Sequence, residues 1–84
     1  MHHRYYTLAK QLIKEGRVDD GLRLMEFDVE TTPGKVWLLR MASQACLDNG
    51  RLEQALRFLE KGLDLRPDDD DLKSMRAEAE QGLK

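Results

Sequence analysis

The sequence predicts an all-α chain in which a helix–turn–helix unit occurs twice and is followed by one further helix. Three observations predict it. Sliding the 84 residues against themselves by 34 positions pairs Gly16 with Gly50, Arg17 with Arg51, Leu22 with Leu56, Arg23 with Arg57, Glu26 with Glu60 and Pro33 with Pro67. The same shift, without a gap, matches like with like at Ile13 and Leu47, Val18 and Leu52, Asp19 and Glu53, Met25 and Leu59, and Val29 and Leu63. Finally, identities fall on the breakers Gly and Pro, which fix where helices end, while apolar residues between them recur at helical spacing.

The first helix is expected from Arg4 to Glu15, with a stop at Gly16, and the second from Asp19 to about Glu30, closed by Thr31-Thr32-Pro33-Gly34. The third, Lys35 to about Asp48, has a broad apolar stripe of Val36, Leu38, Leu39, Ala42, Ala45, Cys46 and Leu47 with no internal Gly or Pro. Asn49-Gly50 ends it, since glycine just past a helix adopts the left-handed conformation that satisfies the last carbonyls without a Cβ clash. Leu52, Ala55, Leu56, Leu59 and Leu63 then stripe a fourth helix from Leu52 to about Leu65, and Pro67 closes the unit. After Asp68-Asp69-Asp70-Asp71 comes a fifth helix, Leu72 to Leu83, with Leu72, Met75, Ala79 and Leu83 apolar. The aspartates favour the positive end of that helix dipole and one of them can serve as N-cap. The charged positions Lys73, Arg76, Glu78 and Glu80 suit a solvating terminal cap. Gly21 and Gly62 interrupt two helices, each at a cost of about 0.5–1 kcal/mol relative to alanine, and close helix packing is the expected compensation.

Composition narrows the function. At 84 residues the chain makes one small domain, and a globule of this size buries only about 60–65% of its unfolded surface, which disfavours an enclosed active-site cavity. Charged residues at 36% and aromatics at 6% exclude collagenous, disordered and disulfide-rich classes. A formal net charge of −2 disfavours nucleic acid as a partner. The single cysteine requires no oxidising compartment, and no apolar run reaches the length of a signal-peptide core or a membrane span. A cytoplasmic protein without membrane insertion is the expectation, with the periplasm open if a leader has been removed.

Chemistry-bearing residues are sparse. His2 and His3 are adjacent and would point about 100° apart on a helix, a poor geometry for chelation. Cys46 lies on an apolar stripe and reads as core, and neither Ser43 nor Ser74 has a histidine near it in sequence. No catalytic, metal or cofactor site is expected, and the chain is read as a non-enzyme. What the spacing does supply is two helical faces, Tyr6, Lys10 and Ile13 on the first helix and Trp37, Met41 and Gln44 on the third.

Two 34-residue helix–turn–helix units and a capping helix resemble the tetratricopeptide repeat (TPR) family over essentially the whole chain. The family pattern W-x2-L-G-x2-Y, A-x3-F, P is met by size class in Tyr5, Leu8, Ala9, Leu12, Gly21, Met25 and Pro33. The second unit meets it in Leu39, Ala42, Ser43, Cys46, Ala55, Leu59 and Pro67. The resemblance implies a single domain over residues 1–84, with repeats at about 2–35 and 36–69, a cap at about 70–84, and five helices in a short right-handed superhelix. It further implies a non-enzymatic interaction module that binds a peptide or helix of a partner protein on a concave face built from the first helix of each unit. The lining would be His3, Tyr6, Lys10, Ile13 and Lys14, then Trp37, Arg40, Met41, Gln44 and Asp48, with Asp71, Ser74, Met75 and Glu78 from the cap. Its aromatic and cationic character suits an anionic segment with apolar anchors. The carboxylate clamp of some TPR co-chaperones has no counterpart, since Tyr6, Lys10, Met41, Asp71 and Met75 stand at its polar and cationic positions. Two alternatives stand beside this reading. A homo-oligomeric assembly subunit is one, because about three repeats are normally needed for stability. The other, implied by the resemblance alone, is a specialised chaperone of a secretion or pilus-like system.

Overall fold

The computed structural model describes residues 4–32 and 34–84, with no account of the Arg4 side chain; His2, His3 and Pro33 lie outside the described residues. Five α-helices account for the regular structure of the described residues: α1 (Arg4–Lys14), α2 (Val18–Thr31), α3 (Val36–Asp48), α4 (Leu52–Leu65) and α5 (Asp70–Gly82). Each element expected from sequence is present, with ends displaced by no more than two residues. The chain divides into two compact units, with the boundary between residues 33 and 34.

In the first unit α1 and α2 run antiparallel. The start of α1 meets the end of α2, where the rings of Tyr5 and Phe27 lie edge to face with centroids 5.4 Å apart. The end of α1 meets the start of α2, where Ile13 and the Ala9 carbonyl crowd Gly21. Ala9, Leu22, Met25 and Val29 are buried here. Gly21 was expected to be compensated by close packing, and it is: an added Cβ would lie 2.6 Å from Ile13 Cγ1.

The second unit has three helices. Leu39 lies near Gly62 and Leu72 lies against it, while Leu52 lies against Gly82, so α4 runs antiparallel to both neighbours. Packing on two sides widens its buried arc to Ala55, Phe58, Leu59 and Gly62, leaving Leu56 and Leu63 half-buried. The stripe read from spacing omitted Phe58 for that reason. Leu38, Leu39, Ala42, Cys46, Leu72 and Ala79 complete this core.

The 34-residue register is visible in the turns. Gly16 and Gly50 have φ of +89° and +73°. The residue after each donates its amide five residues back, Arg17 to Leu12 O at 2.9 Å and Arg51 to Cys46 O at 2.8 Å. That bond closes a helix with a left-handed glycine, as a Schellman ending requires. At the start of α5 the aspartate run resolves to one cap: Asp69 Oδ1 accepts from the Leu72 amide at 3.0 Å, so the helix begins at Asp70 rather than Leu72.

Candidate functional site

The predicted binding residues divide between α1 and α3, one helix in each unit. On α1, Tyr6 and Ile13 are half-buried, whereas Lys10 and Lys14 are exposed. Lys10 Nζ lies 5.5 Å from the centroid of the Tyr6 ring, a cation–π arrangement that holds the ammonium over the aromatic face. Burial pushes the Tyr6 phenol above its ordinary pKa, so it stays protonated at neutral pH. The helix RYYTLAKQLIK contains no acidic residue, and Lys14 in its last turn complements the dipole. Lys10 and Lys14 are the charges that this face presents to solvent.

On α3 one face is core, built from Leu38, Leu39, Ala42, Ser43 and Cys46. The other carries Trp37 and Met41 one turn apart and half-buried, with Gln44 and Asp48 exposed beyond them. Gln44 Nε2 donates to Asp48 Oδ1 at 2.8 Å. Arg40, the only cation on α3, is not left open to a ligand. Its Nη2 donates to Asp69 Oδ2 at 3.2 Å, while Oδ1 of the same carboxylate caps α5. The α3 face therefore presents an aromatic and an apolar side chain beside an ion-paired Arg40, with the Asp48 carboxylate exposed at its far end, where composition alone suggested an aromatic, cationic face. Of the cap residues, Met75 is half-buried and Asp71, Ser74 and Glu78 are exposed. His3 lies outside the described residues.

The Leu72 amide, and after it the Arg40 guanidinium, hold the Asp69 carboxyl below the ordinary carboxylate range. A carboxyl with a lowered folded pKa contributes stability above its unfolded pKa, and that contribution is lost as pH falls through the folded value. Asp69→Asn, which keeps an acceptor for the cap, is expected to flatten the decline of melting temperature on acidification below about pH 4. An undiminished acid slope in that variant, followed by circular dichroism, would assign the decline to other carboxylates.

Asp69 is the residue that sequence reasoning missed. Its partner lies 29 residues away, and the only local signal was the aspartate run, which gave the cap but not the ion pair. Ser43 was set aside as a nucleophile, and its buried hydroxyl donates to Leu39 O at 2.7 Å. Cys46 is fully buried.

The tetratricopeptide repeat family model matches residues 12–79 of the chain. The chain belongs to the tetratricopeptide repeat family. TPR units are protein–protein interaction modules and typically not enzymes. The match takes in the last turn of α1, the whole of α2, α3 and α4, and most of α5. No curated protein matches the chain at a significant level. Among the described residues no helix is long and apolar enough to cross a membrane. An open hollow of about 690 Å³ in the second TPR unit is bordered by Leu52, Glu53, Leu56, Arg57 and Leu83. It shares no residue with the α1 and α3 faces; charges of both signs and a wide mouth make it a poorer receptor than Trp37 and Met41.

Proposed function

We propose that this TPR protein is a non-enzymatic module that captures a segment of a partner protein through the partly covered face of α3, the first helix of its second unit. Apolar anchors of the segment meet Trp37 and Met41, which stand one turn apart on α3. The observation that supports this best is α3 itself. With one face already wholly buried, the helix still carries a tryptophan and a methionine on another, each only partly covered, as a recognition surface requires. Selection of peptides from a random display library on the immobilised protein, followed by amide chemical-shift mapping, tests it. Shifts are expected at Trp37, Met41 and Gln44. Trp37→Ala should weaken the selected peptide by about 1–2 kcal/mol with the melting transition little changed. Shifts confined to α2 and α4 would overturn the reading.

The alternative of self-assembly has its own observation. Tyr5, Leu8 and Phe27 are 41%, 50% and 47% exposed, yet the 34-residue counterparts of the first two, Leu39 and Ala42, are buried in the second unit. An apolar cluster on one unit whose equivalents are covered on the other is a candidate contact between copies. Light scattering after size exclusion at two concentrations is expected to show species above 9.7 kDa that Leu8→Glu returns to monomer. A concentration-independent monomer removes this alternative and leaves the peptide-binding reading standing.

A further inference from the structure

The charge of Arg40 on the α3 face is answered by the residue that caps another helix. Arg40 is one-third exposed and Asp69 only 11% exposed, so the carboxylate reaches the guanidinium from the more buried side. One oxygen of Asp69 accepts from Nη2 and the other from the Leu72 amide, so a single carboxylate both answers the guanidinium and starts α5. Arg40 Nε is buried and without a hydrogen-bond partner. The guanidinium is thus held through Nη2, with its charge answered by Asp69. An acidic ligand group approaching Trp37 and Met41 would have to displace a carboxylate that the α5 cap already holds in place.

We infer that Asp69 is the specificity-determining residue of the α3 face, directing it toward uncharged apolar segments and against acidic ones. The inference rests on the peptide-capture reading and deepens it: α3 supplies apolar anchoring, and its one cation is already answered by Asp69. Removing the charge at residue 69 while keeping the cap should convert the α3 face into one that accepts carboxylates. Asparagine and serine both cap helices well, so either substitution separates the charge from the helix start.

The test uses two synthetic peptides with the same pair of leucines four residues apart, the intervening positions being glutamine in one and glutamate in the other. Trp37 is the only tryptophan, so its fluorescence reports engagement of this face directly. Wild-type protein is expected to bind the glutamine peptide at least as tightly as the glutamate peptide. Asp69→Asn, and Asp69→Ser as the second variant, are expected to shift the ratio toward the glutamate peptide by about fivefold. Adding Arg40→Gln should abolish that shift. Wild-type preference for the glutamate peptide at this face, or an unchanged ratio in both folded variants, would overturn the inference while leaving peptide capture intact. Failure of both peptides to alter Trp37 in every variant would instead remove capture at this face, and the inference with it.

Discussion

Gly21→Ala is expected to destabilise the first unit by about 2 kcal/mol or more, although alanine is the better helix former by about 1 kcal/mol. The new Cβ would stand 2.6 Å from Ile13 Cγ1 and 2.7 Å from the Ala9 carbonyl oxygen. Ile13 could turn aside, but the carbonyl belongs to the α1 backbone, so relief requires α1 and α2 to separate along their contact. That separation would loosen the packing of Ala9, Leu22 and Met25, all essentially inaccessible to water. Gly62→Ala is the control, because the one tight approach of its Cβ would be to Leu72 Cδ1 at 3.0 Å, the end of a flexible side chain, with Leu72 Cδ2 and Leu39 Cβ at ordinary contact distances. Here the gain in helix propensity and the cost of moving one methyl nearly cancel. Urea unfolding of the two variants decides the matter: equal stability of Gly21→Ala and wild type would mean that the helices of the first unit do not approach this closely.

Leu59→Ala is expected to cost about 3 kcal/mol, the middle of the range for a fully buried leucine. Leu59 has no exposed surface, and α4 packs against both α3 and α5, so neither side can collapse into the space without disturbing the other. For a small domain whose whole stability is about 5–10 kcal/mol, that loss moves the melting transition by many degrees. Leu65→Ala, six residues along the same helix and half exposed, should change stability by no more than about 0.5 kcal/mol. Calorimetry showing similar effects at both sites would contradict the placement of Leu59 at the centre of the second unit.

Much of this architecture was legible because it is written in local chemistry. Gly16 and Gly50 end their helices through a left-handed residue and an amide that bonds five positions back, an arrangement contained within six residues of chain. The 34-residue shift then placed both turns, and with them α1 to α4. The candidate site was legible only as helical faces: spacing alone brought Trp37, Met41 and Gln44 together, and likewise Tyr6, Lys10 and Ile13. What spacing could not supply was the pairing across elements. Whether Arg40 meets solvent or a carboxylate depends on how α5 lies against α3, a tertiary fact with no periodic signature. The same holds for Phe58, buried because a third helix covers α4, and for Phe27, exposed at the edge of Tyr5 where the shifted counterpart in the second unit is Lys61.

The close neighbour-to-neighbour packing also bears on how fast the chain finds its structure. Within each unit, helices pair chiefly with the helix next to them in sequence, across turns of a few residues. Little loop-closure entropy is spent before such contacts form, and topologies of this kind fold in microseconds to milliseconds. The Arg40–Asp69 bond is different, since it closes a long loop and requires α3 to be in place when α5 starts. It is expected to form on the late side of the folding barrier, so that its loss in Asp69→Asn speeds unfolding, followed by stopped-flow fluorescence of Trp37, while leaving the rate of folding almost untouched.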